Sequence, residues 1–163
     1  MNALNITRLG VAVLAIGISI GSSLNNVPDP GLDLLVESIE GSGTTLTEKV
    51  CTEESKEAYG YYHFGPKIDE LVICTNNVKG DKAVYGETLK HEAIHIAQAC
   101  KQWESATNYK EEWHAKKVAE SYDIEILKAK YDKSEWANEL EAYSLERSPA
   151  AYISGVVDAA CNG

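Results

Sequence analysis

Residues 91–95 read His91-Glu92-Ala93-Ile94-His95. The apolar spacing around them has helical period and predicts a helix over roughly Ala83 to Trp103. In that helix the two imidazoles, four residues apart at about 100° per residue, stand one turn apart on the same face. Leu89, Ala93, Ile96, Ala97 and Cys100 fall on one side; His91, His95 and Gln98 fall on the other. The expected arrangement is an apolar back toward the core and an imidazole face toward a cleft, with Glu92 on the flank.

Two imidazoles on one face can hold one metal ion, and Zn²⁺ is the expected one. A catalytic zinc needs a third protein ligand and an open fourth position. His63, His114, Glu139 and Glu141 are the candidates. Glu139 is preferred, because it shares a helix face with Trp136, Ala142 and Tyr143, whereas Glu141 points about 200° away beside Ala137, Ser144 and Leu145. Glu92 lies where it could take a proton from a water held by the metal without being a ligand. Tyr143, Tyr152 and His114 can each offer a hydrogen bond to a developing oxyanion, and Tyr143 is carried forward as the candidate catalytic residue beside Glu92. Gln98 either orients a ligand, lines the cleft or faces solvent. Arg147 is expected to pair with a nearby acid such as Glu146.

The first thirty residues differ from the rest. No charged residue occurs between Leu9 and Val27, the run from Leu9 to Ile20 is almost wholly apolar, and Arg8 precedes it. Residues 1–21 read as a signal peptide, or as a membrane anchor if they are not cleaved. Residues 22–31, with Pro28 and Pro30, read as a linker, and residues 32–163 as a single domain. Export to a secreted, periplasmic or otherwise extracytoplasmic location gives meaning to Cys51, Cys74, Cys100 and Cys161, an even set where disulfides persist. Cys51 with Cys74 and Cys100 with Cys161 is the favoured pairing.

The 163 residues carry 15 basic and 25 acidic side chains, a net charge of -10. With the basic residues scattered, no dense positive field is available for phosphates, which excludes nucleic acid as a partner. Between Leu32 and the end of the chain the pattern changes once, near residue 80. Before it come a helix at Asp33 to Glu40 and short alternating runs at Leu46 to Thr52, Tyr59 to Phe64 and Glu70 to Thr75, expected to form a small antiparallel sheet. After it come helices at Ala83 to Trp103, Lys110 to Tyr131, Ser134 to Glu146 and Ala150 to Ala160, the third opened by an Asp132/Glu135 capping box. The fold class is α+β, with a helical second half carrying the His91–His95 helix.

This layout resembles the gluzincin group of zinc metallopeptidases. The resemblance rests on His91-Glu92-Ala93-Ile94-His95 followed by Glu139-Leu140-Glu141-Ala142, which is similar to the group's ExxA pattern, and it extends over roughly Leu71 to Glu146 in the manner of the small mitochondrial-type members. It implies a zincin-like fold and an endopeptidase that acts on protein or peptide substrates. Zinc would be held by His91, His95 and Glu139, with Glu92 as general base. It also implies that the strand before the active helix, Glu70 to Thr75, borders the cleft and pairs with an extended substrate. Many relatives carry an acid one turn after the ligand Glu, to orient a histidine; this chain has Tyr143 there. The alternative reading is a non-catalytic structural or binding protein in which zinc staples a zincin scaffold.

Overall fold

A computed structural model describes residues 8–12, 29–52, 57–107 and 121–163. Its elements run β1 (Arg8–Ala12), α1 (Leu32–Gly41), β2 (Thr45–Lys49), β3 (Gly60–Gly65), β4 (Ile68–Cys74), α2 (Thr75–Val78), α3 (Lys82–Cys100), α4 (Ser121–Lys130), α5 (Trp136–Leu145) and α6 (Ala150–Cys161). The class is α+β, as the sequence implies. His114 lies outside the described residues. So do most of residues 1–31, expected to be leader and linker, although β1 falls within the expected leader.

The sheet order is β1-β3-β4-β2. It is mixed, not antiparallel: β3 pairs antiparallel with both β1 and β4, while β2 runs parallel to β4 with Lys49 opposite Cys74. Alternation of apolar residues reports a strand but not its direction. Here the Cys51–Cys74 disulfide joins the residues at the C-terminal ends of β2 and β4, which places the two strands side by side in the same sense. A second correction follows from the order. Of the Glu70 to Thr75 run, Glu70 to Cys74 lie in β4 and Thr75 opens α2; β4 is central and has neighbours on both sides, so it offers no edge to a substrate. On the other side β3 is covered in turn by β1, which is the edge strand there.

One face of the sheet meets the helices. Leu71 and Ile73 of β4 and Tyr62 of β3 join Leu35 and Ile39 of α1, Leu89, Ala93, Ile96 and Ala97 of α3, and Ile153 and Val157 of α6 in the main core. The opposite face carries a small cluster of Cys51, Ala58, Val72 and Cys74. Gly60 lets β3 approach α3 closely, since a Cβ there would lie 2.6 Å from Thr88 Cγ2 and 2.8 Å from the Val72 carbonyl oxygen.

Helix α3 begins at Asp81, whose carboxylate accepts from the N–H groups of Ala83 and Val84, a standard N-cap. It ends in two successive left-handed residues, Gln102 and Trp103, and Cys100 is bonded to Cys161 at the end of α6. Both favoured disulfides are present. They point to an oxidising compartment, and no helix among the described residues is long and apolar enough to cross a membrane.

Candidate metal centre

Helix α3 does not show an open imidazole face. Every residue from Thr88 to Ala99 is buried, because α5 packs over the side that the wheel assigns to a cleft. That packing brings Glu139 of α5 onto His91 and His95. Nε2 of His91 lies 3.4 Å from one Glu139 oxygen and Nε2 of His95 lies 3.4 Å from the other. One ligand atom from each of the three residues falls within 4.8 Å of the other two. Two atoms each about 2.0–2.1 Å from a tetrahedral ion are about 3.3 Å apart, so the His–Glu spacings match the edges of such a site.

The hydrogen bonds behind the imidazoles fix which ring nitrogen faces inward. Nδ1 of His91 is 2.8 Å from Oε2 of Glu146, and Nδ1 of His95 is 2.9 Å from Oε1 of Gln98. Nε2 of Gln98 donates to the Asn138 carbonyl and to Glu141, so its amide oxygen is the atom turned to His95. That oxygen can only accept. The proton of His95 therefore sits on Nδ1, Glu146 sets the same tautomer in His91, and both Nε2 lone pairs aim at the Glu139 carboxylate. Both Nε2 atoms and Glu139 Oε2 are buried with no hydrogen-bond partner. Lone pairs pointed at a carboxylate need a cation between them, and the three residues fit a metal ion on that ground.

In the ion-free chain protons take that role. Burial disfavours charge on His91, but the Glu139 carboxylate 3.4 Å from its Nε2 and the hydrogen bond to Glu146 outweigh it and raise its pKa well above the ordinary imidazole value. His95 is raised as well, with Glu139 overcoming burial. Burial pushes Glu139 upward, but the charges of His95 and His91, each 3.4 Å away, bring it to about 2.

Glu92 is different. It is fully buried, and neither carboxylate oxygen has a hydrogen-bond partner. Burial raises its pKa to about 7, against the opposing pull of His91 and His95; the main chain of Tyr62 on β3 lies against it and favours the charged form slightly. Tyr143 is also at the site, its ring centroid 4.7 Å from that of His91 and its buried hydroxyl without a hydrogen-bond partner.

The remaining candidates divide cleanly. Glu141 is not a ligand, but neither does it point away from the site. It is buried and accepts from Gln98 Nε2, Ser105 Oγ, the N–H groups of Ala106 and Thr107, and Thr107 Oγ1. Those donors keep its pKa low despite burial. Gln98 orients His95. Arg147 lies 3.7 Å from Glu146, as expected. His63 belongs to the β3 face opposite to buried Tyr62, away from α3, and Tyr152 stands exposed on α6.

Two residues of the site escape the motif reading. Glu146 supplies the acid missing at position 143; it lies seven residues after Glu139, two turns on and on the same face, and that spacing is its sequence signal. Tyr131 packs against Tyr143 and feels the charges of Glu139 and Glu92, which with burial raise its pKa. No local pattern marks it.

Residues 41–161 match the model of a family described as a domain of unknown function, DUF8637. Neither a curated protein nor a solved structure matches the chain significantly.

Proposed function

The chain belongs to the DUF8637 family, and from its own site we propose that it is a zinc-dependent metallopeptidase of the gluzincin type, acting on proteins or peptides outside the cytoplasm. The observation that carries this reading is Glu92. A carboxylate buried without a hydrogen-bond partner costs stability, and a purely structural metal site has no use for one. A hydrolase has: the group must take up a proton and release it, which suits a carboxylate held beside the metal ligands with both oxygens unclaimed.

Zinc bound at His91, His95 and Glu139 supplies Lewis acidity and lowers the pKa of its water toward 7. The chain does the rest. Glu146 and Gln98 hold the two imidazoles in the tautomer that presents Nε2. Glu92 takes the proton of the attacking water and passes it to the leaving amine. The Tyr143 hydroxyl donates to the oxyanion that forms at the peptide carbonyl. Among the described strands, β3 brings its main chain to Glu92; its side away from β4 is paired with β1, so an extended substrate reaches the site along β3 where β1 gives way. The disulfides and the apolar leader support export.

The near-complete burial of His91, His95 and Glu139 favours a second reading, a metal that only staples α3 to α5. Metal analysis with proteolysis of casein separates the two. With Glu92→Gln, zinc content stays the same and cleavage falls by about 10²–10⁴-fold. Equal cleavage by both chains, or none by the zinc-loaded wild type, favours the structural reading.

A further inference from the structure

Strand β1 is made of leader residues, and it lies antiparallel on β3 with Gly10 opposite Tyr62 and Arg8 opposite Phe64. The direction of each main-chain group on β3 follows from one bond: the Tyr59 carbonyl accepts from Cys74 N–H at 2.7 Å. In an antiparallel ladder hydrogen-bonded pairs alternate. Tyr61 and His63 therefore turn their N–H and C=O groups to β4, while Gly60, Tyr62 and Phe64 turn theirs to β1. Tyr62 is also the residue whose main chain lies against the Glu92 carboxylate. The leader thus occupies the β3 edge that borders Glu92, with its backbone paired as a peptide added to that edge would be.

We propose that Arg8–Ala12 is a cis-acting occupant of the peptide-binding edge. While β1 is paired, an extended peptide has no access to the main-chain groups of Gly60, Tyr62 and Phe64, and the chain that retains its leader is held in a low-affinity state. This inference rests on the reading of the cleft as a peptide site. Sixteen residues separate Ala12 from Asp29, and for a connection of that length the effective concentration of β1 at its edge is on the order of 1 mM. A free peptide that binds the open edge at about 10 μM is then weakened about 100-fold.

The register supplies a matched pair of variants. Gly10, opposite Tyr62, turns its N–H to β3, so Gly10→Pro removes a ladder bond; Val11 turns its N–H away, so Val11→Pro leaves the ladder intact. Full-length chains are compared, each carrying Glu92→Gln so that a fluorescent peptide of residues 6–14 survives as the probe. The expected result is slow amide exchange at Gly60, Tyr62 and Phe64 in the parent and in Val11→Pro. In Gly10→Pro those amides exchange at least about tenfold faster, and the probe binds about 100-fold more tightly and restores protection. Equal exchange and binding in all three chains overturns the proposal, and so does release of the edge by Val11→Pro. Neither readout requires hydrolysis. A chain with this pattern that cleaves nothing refutes the peptidase, whereas a cleaving wild type indifferent to Gly10→Pro refutes the occupancy.

Discussion

Oε1 of Gln98 lies 2.9 Å from Nδ1 of His95, and Nε2 of the same amide lies 2.9 Å from Oε2 of Glu141. One side chain thus links a metal-facing imidazole to a buried carboxylate on another helix. Gln98→Leu keeps the volume roughly and removes both bonds, freeing the His95 ring to turn and to change tautomer. Loss of such a partner typically lowers metal affinity 10–100-fold. Competition with a chromophoric chelator should show that loss with the zinc stoichiometry still at one; unchanged affinity would remove Gln98 from the site.

Glu139 and Glu141 should separate by what they destabilise. Glu139→Ala deletes a ligand, so zinc affinity collapses. Glu141→Ala leaves all three ligands but strands the donors of Gln98, Ser105, Ala106 and Thr107, which should cost about 2–4 kcal/mol of folding stability. Denaturant unfolding and zinc titration of both variants decide the matter. If Glu141→Ala loses zinc as completely as Glu139→Ala, the ligand assignment moves.

That contrast also shows how far the sequence reaches. Residues His91, Glu92, His95 and Glu139 are legible because helical period alone places them, and the cysteine pairs because strand and helix ends leave few partners. The partners that bury Glu141 are not legible, for a simple reason: the wheel tells which way a side chain leaves its own helix, not what the next segment does. Residues 105–107 fold back over α5 and turn an outward position into a buried one. Glu146 was within reach of the same wheel. Tyr131 was not, since its place at the site depends on how α4 meets α5. Strand order was equally hidden, and with it the identity of the edge beside Glu92.

Gly60 tests whether β3 must lie close to α3. A Cβ at this position would meet Thr88 Cγ2 at 2.6 Å and the Val72 carbonyl oxygen at 2.8 Å. The carbonyl belongs to the neighbouring strand and cannot give way, so β3 has to move. Gly60→Ala is expected to cost about 1–3 kcal/mol and, by drawing the Tyr62 main chain from Glu92, to lower kcat more than it raises KM for a peptide substrate. A chain as stable as wild type would mean that the strand is not held there.

Removing the metal should make stability depend on pH in a defined direction. In the ion-free chain His91 and His95 have raised pKa values. Their contribution is fully present below the unfolded imidazole value, about 6.5, and is lost as pH climbs through the folded values. Glu92 acts in the same sense: with its pKa raised from 4.5 to about 7, the folded state loses stability as pH rises through that interval. Glu139, lowered to about 2, contributes above pH 4.5 and loses its effect only as pH falls toward 2, so it is constant from pH 5.5 upward. Zinc must displace the imidazole protons, and its binding therefore strengthens as pH rises. Thermal melts of EDTA-treated and zinc-loaded chains at pH 5.5 and 8.5 should show a gap in Tm that widens by roughly 5 °C or more at the higher pH. The two forms share the same surface charge, so the gap isolates the site. A gap that narrows with pH would exclude His91 and His95 as the groups that exchange protons for the metal.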